Sequence, residues 1–210
     1  ETTLLISKTA KFHKQTLGIS NESPEGFLKT LTEGKSENPY DQLKKIEGEI
    51  LRYYALLPPE DLDREQHDTI NQYITSVRHC IHSAKSIKDI QHNINDLSNS
   101  DHDVLHEQYL SLQEDWKKFD SSFARLLTLT DSKLLFEELT LNMKLTFDSQ
   151  QQHNAEIIEA LKQKLVTEIE ASTLMNVHRE VLSTKKSLLR ALSHLKLPRA
   201  QADEFEFLPG

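Results

Sequence analysis

From Ile70 to Leu97 apolar residues recur at steps of three and four: Ile70, Ile74, Val77, Ile81, Ala84, Ile87, Ile90, Ile94 and Leu97, with no Gly or Pro among them. That spacing lays one apolar stripe along one side of a helix. The opposite side carries Arg78, His82, Lys85, Lys88, Asp89, His92 and Asn93. So long a helix with so narrow a stripe predicts a member of a bundle. Turn-forming residues are scarce: 5 Gly and 6 Pro in 210 residues disfavour a turn-rich β architecture. A net charge of −8 argues against a non-specific nucleic-acid binder. Cys80 is the sole cysteine, so no intramolecular disulfide and no Cys-rich zinc site can form. No apolar run approaches the roughly 20 residues that span a bilayer, and there is no signal-peptide pattern. The start at Glu1 without Met predicts a fragment or a processed product.

In chain order, 2–17 reads as a helix on the stripe Leu4, Leu5, Lys8, Phe12, Gln15 and Ile19, with Gly18 placed to cap it. Residues 18–39 read as a linker with room for a short helix at 24–32, started by Ser23-Pro24-Glu25. A second helix, 40–57, carries Leu43, Ile46, Ile50, Tyr53 and Leu57, and Pro58-Pro59 stops it. The third is predicted to run unbroken over 60–97, with acids Glu60, Asp61 and Asp63 at its start. Asn99-Ser100-Asp101 precedes a fourth, where Leu105, Tyr109, Leu112, Trp116, Phe119, Phe123 and Leu126 form the strongest heptad in the chain. Asp131 is placed to cap a fifth helix over 132–147. The polar run Asp148-Ser149-Gln150-Gln151-Gln152 separates it from a sixth over 154–195, which Pro198 ends.

Asn93-Ile94 and Asn176-Val177 then fall late in the third and sixth helices, and Gln66-His67 and Gln152-His153 near their starts. The expectation is an all-α chain of two three-helix units, 1–97 and 98–197, and a flexible tail at 198–210.

Three segments carry a family resemblance: Leu43 to Leu56 (LKKIEGEILRYYAL), Val77 to Ile94 (VRHCIHSAKSIKDIQHNI) and Leu174 to Leu192 (LMNVHREVLSTKKSLLRAL). Together they resemble the PhoU-like domain at the cytoplasmic C-terminus of bacterial Na+/phosphate cotransporters. The resemblance implies an elongated PhoU-like bundle of six main helices and a non-catalytic regulatory role in phosphate uptake. It implies a place on the cytoplasmic face of the inner membrane, tethered to a transmembrane transport domain absent from this chain. That domain would handle sodium and phosphate and be the partner, with a homodimer as a further expectation and no nucleic acid. PhoU proteins proper hold multinuclear iron or zinc clusters with a Glu/Asp-x-x-x-Asp motif in each repeat. Here those positions are Lys85 and Asp89, then Glu168 and Ser172, so each repeat has lost one carboxylate. A lysine in the site repels a cation, and no cofactor or metal cluster is expected there. The alternative is a metal-binding PhoU-type helical protein acting as a phosphate-signalling regulator or sensor.

Other constellations have plainer readings. His79/His82 and His102/His106 have spacings that can share zinc on one helix face, but ten histidines in a helical chain give such pairs by chance. Asn93 and Asn176 read as interface residues that hydrogen-bond across the bundle and fix register. Arg78, Lys85 and Lys88 read as a solvated basic face before an anion site, and Asp89 as a partner for Lys85 one turn away. No Gly-rich phosphate loop or catalytic triad context is present. The tail 202–208, ADEFEFL, alternates acids with Phe and reads as a frayed terminus before a docking peptide.

Overall fold

The computed structural model describes residues 2–19, 38–58 and 62–208. Among them the chain is entirely helical: α1 (Thr2–Thr16), α2 (Pro39–Ala55), α3 (Arg64–Asp89), α4 (Gln91–Ser98), α5 (Asp103–Thr128), α6 (Ser132–Lys162), α7 (Glu168–Lys196) and α8 (Arg199–Glu206). The all-α expectation holds, with eight helices where six were expected. The expected linker helix at 24–32 lies outside the described residues.

The stripe that predicted the third helix is buried from Val77 through Leu97, but the helix is not continuous. Ile90, at φ −101° and ψ 4°, ends α3 and begins α4, so the stripe turns a corner without Gly or Pro. The fourth expected helix is α5, with Leu112, Trp116, Phe119, Phe123 and Leu126 buried along the heptad. In α1 the buried residues are Thr2, Leu5, Ile6, Thr9, Phe12 and His13. Leu4 is 50% exposed, so the expected stripe was rotated by about one residue. In α2, Leu43 and Ile50 are buried while Tyr53 is exposed.

Helix ends follow local chemistry. Asp63 caps α3 in a reciprocal box with Gln66: its Oδ1 accepts from Gln66 N at 2.8 Å, and Gln66 Oε1 accepts from Asp63 N at 2.9 Å. Asp131 Oδ1 accepts from Leu134 N at 2.8 Å, the cap expected from sequence. Gly18 (φ 67°) closes α1 with Ile19 N donating to Lys14 O and Gly18 N to Gln15 O, the Schellman pattern. A Cβ there would also sit 2.7 Å from the Tyr109 hydroxyl, so the position excludes side chains twice over.

The break between the last two long helices is misplaced in the sequence reading. Asp148 to Gln152 stay helical inside α6, and the chain turns instead at Gln163 to Val166. There Lys164 takes a left-handed conformation (φ 58°), with Leu165 N donating to Ala160 O and Lys164 N to Leu161 O. Thr167 and Glu170 form a second capping box that starts α7. Within the polar run Ser149 reaches inward and donates to Asp115 at 2.9 Å, and just beyond it His153 is buried against His178, while Asp148, Gln151 and Gln152 stay exposed.

The most extensive helix pairing is α3 against α7; α1 and α2 pack on α3, and α5 and α6 on α7. The α3–α7 seam is built from small residues. Ser76 Oγ donates to Ala191 O at 2.7 Å and Ser83 Oγ to Thr184 O at 2.9 Å, while Ser86 and Ser183 hydroxyls lie 3.3 Å apart. Buried Cys80 and Ala84 fill the turns between. Short side chains let the axes approach, and the Ser76 and Ser83 hydroxyls spend their donors on carbonyls of the facing helix.

The C-terminal segment is not frayed over its described length. Pro198 precedes α8, and Ala202 and Phe205 are fully buried, Phe205 edge-on to Phe136 with centroids 6.4 Å apart.

Candidate functional site

Two polar clusters interrupt the core. The first lies between α5, α6 and α7. Lys185 is 2% exposed and its ammonium contacts the Asp115 carboxylate. The same ammonium lies 5.6 Å from the Trp116 ring centroid and 5.4 Å from that of Phe119, a position where aromatic faces attract a cation. Burial would raise the Asp115 carboxyl, but the Lys185 charge and the hydrogen bonds from Lys185 and Ser149 outweigh it and hold the group ionised below its usual range. Burial pulls Lys185 downward against the attraction of Asp115. Two turns back along α7, His178 stacks on His153 with centroids 4.3 Å apart, and burial holds His178 neutral with its pKa down at about 3. A groove of about 390 Å³ opens beside the pair, lined in part by Lys118, Ser122, Asn142, Thr146 and Gln152.

The second cluster joins α3, α7 and α8. His79 Nε2 lies 3.2 Å and His194 Nε2 3.3 Å from the same oxygen of Glu206, Oε2. The two imidazoles stack with centroids 5.7 Å apart and planes 14° apart. Arg190 approaches the other carboxylate oxygen, Oε1, at 3.5 Å through Nε and donates to the Glu206 backbone carbonyl at 2.9 Å. Burial opposes ionisation of Glu206, yet the hydrogen bonds from His194 and His79, with the His79 and Arg190 charges, hold it far below the ordinary carboxylate range. Each helix puts its group here through packing: the α3 stripe places His79 beside buried Cys80, α7 carries Arg190 and His194 one turn apart, and Phe205 anchors α8.

A third polar contact lies at the α1–α3 junction. His13 Nε2 is 3.3 Å from Ser83 Oγ. Ser83 already donates to Thr184 O, so His13 must be the donor to Ser83, leaving Nδ1 as a buried atom without a partner.

The residues singled out from sequence fall elsewhere. Lys85 and Asp89 are exposed near the end of α3 and form no ion pair with each other; Lys88 instead covers the Tyr40 ring at 4.2 Å, and Arg78 is exposed. Glu168 is the first residue of α7, with Ser172 exposed one turn later. The first motif thus sits at a helix end and the second at a helix start, so the expected equivalent placing is not seen. The asparagines differ likewise. Asn93 is half-buried on short α4, while Asn176 lies early in α7 and its Oδ1 accepts from Arg179 on its own helix at 2.5 Å, not across the bundle. His79 is brought to His194 and Glu206, not to His82, which meets Ser187 Oγ at 3.1 Å. His102 lies at the α6–α7 turn near Glu170, and His106 against Tyr109. Cys80 is buried, and burial pushes its thiol up, away from nucleophilic use.

Sequence reasoning missed Glu206 and His194 because they lie far from His79 in the chain. It missed the Asp115–Lys185 pair because both sit at heptad-flanking positions that read as surface. The Thr167-x-x-Glu170 capping signature was legible and would have placed the α6–α7 turn.

Comparison with protein-family models, with curated proteins and with solved structures returned no match. Fold and clusters together define an all-α bundle whose internal charges are paired between helices. Among the described residues no helix is long and apolar enough to cross a membrane.

Proposed function

We propose that this chain is a non-catalytic regulatory module of the PhoU-like kind, the cytoplasmic domain of a Na+/phosphate symporter. It acts through helix-face contacts with the transport domain of its own polypeptide, biasing the transport cycle and so phosphate uptake. The observation that supports the reading best is the pairing of α3 with α7, each flanked by two further helices of its own half of the chain. The three resemblance segments fall on α2, on α3–α4 and on α7. The polar clusters fit a mechanical part: they tie helices together and present no nucleophile beside a base.

The test is made in cells. Deleting this domain while keeping the membrane-spanning region is expected to alter phosphate uptake or its response to external phosphate. Unchanged uptake at both high and low phosphate would refute the reading.

A further inference from the structure

We propose that His79, His194 and Glu206 form a binding site for one zinc-class divalent ion, which clamps α8 across α3 and α7. The site is separate from the degenerate motif positions Lys85, Asp89, Glu168 and Ser172, and it does not depend on the regulatory reading above.

The donor set is two imidazoles and one carboxylate, a combination that zinc accepts in a tetrahedral arrangement with one position left open. Zinc–ligand bonds of about 2.0–2.1 Å place tetrahedral ligand atoms roughly 3.3 Å apart. Two separations already match: 3.2 Å from His79 and 3.3 Å from His194 to Glu206 Oε2. All three donor atoms lie within 4.8 Å of one another, so an ion needs only a small side-chain rotation to enter. His79 and Glu206 are part-exposed, which gives an entry path, while His194 is buried.

Both histidines bind through Nε2, so each ring carries its proton on Nδ1. Nδ1 of His194 is buried without an acceptor, whereas a strongly binding histidine usually donates that hydrogen to a partner. Arg190 orients the carboxylate through Oε1 but adds a positive charge nearby. Both features set the affinity at micromolar rather than nanomolar. The consequence is mechanical: α8 has eight residues, too few to be stable alone, and a metal bond would fix its last turn to two helices at once.

The experiment uses the whole chain, freed of metal with chelator and then titrated with Zn2+ by calorimetry and with Co2+ by absorption. One ion per chain is expected, with a Co2+ spectrum of tetrahedral intensity. At free Zn2+ a hundredfold above Kd, Tm should rise by about 5–10 °C. His79→Gln and Glu206→Gln should each weaken binding at least tenfold. The pair His102→Ala with His106→Ala, and the pair Asp89→Ala with Glu168→Ala, should leave it unchanged. Because Glu206→Gln removes an anchor of α8, circular dichroism checks its fold, and part-exposed His79→Gln carries the test if Glu206→Gln unfolds. Absence of binding below about 1 mM in the unaltered chain, or binding that survives His79→Gln at full strength, overturns the proposal.

Discussion

Acid should weaken this fold through His13, by an amount that the structure sets. The imidazole is fully buried on α1, edge-on to Trp116 with centroids 5.3 Å apart, and burial holds its pKa down at about 3, only partly offset by Ser83. Its one free nitrogen, Nδ1, faces no acceptor, so a proton added there has nowhere to donate. In the unfolded chain the same group titrates at about 6.5. Between those values the unfolded state binds the extra proton and the folded state does not. Stability therefore falls as pH drops below about 6.5 and stops falling on this account near 3. From pH 7.5 to 5.0 the loss from this one group integrates to about 2 kcal/mol. The assay is urea unfolding at both pH values, followed by circular dichroism and by the emission of Trp116, for the native chain and for His13→Leu. The variant's absolute stability is immaterial, because contributions from His178 and other groups are common to both chains. The difference between the two pH values should be about 2 kcal/mol smaller in the variant. Equal losses in both chains would show that His13 is solvated or already charged in the fold, and the buried-neutral account would fail.

Asp115→Asn should cost about 3 kcal/mol in urea unfolding, because it strands the Lys185 ammonium in the core, whereas Asp115→Leu with Lys185→Met should recover most of that loss; a double variant no better than the single one would show that packing, not charge, sets the cost. Lys164→Gly should stabilise by about 0.5–1 kcal/mol, since the exposed Lys164 holds a left-handed conformation that glycine adopts freely; a lower Tm would contradict that.

Periodic apolar stripes were legible in the sequence, and side chains that are polar but buried were not. Val77 to Leu97 and Leu112 to Leu126 are buried as their spacing requires. The α1 stripe was misread because Thr9 and His13, both fully buried, count as polar in any pattern. The same blindness moved the α6–α7 turn. Asp148 to Gln152 reads as a break between helices, but Ser149 and neighbouring His153 serve an internal cluster whose other members lie on α5 (Asp115) and α7 (His178 and Lys185). Ile90 breaks its helix without any of the residues that announce a break. The tail failed for a related reason: Ala202 and Phe205 are three apart, a helical step that eight residues cannot make conspicuous. The candidate metal site was out of reach, since three side chains from three helices converge only after α3 and α7 have paired.

The seam between α3 and α7 also bears on how the chain reaches its fold. Its hydroxyl–carbonyl bonds join residues 101 and 115 positions apart, Ser83 to Thr184 and Ser76 to Ala191. Within each flank the stretches are shorter, 70 positions from His13 to Ser83 and from Asp115 to Lys185, so those loops close at a slightly lower entropic cost. The seam also requires two long surfaces to find their register. Changes in this most extensive helix pairing are therefore expected to be felt in the rate of folding as well as in its final stability.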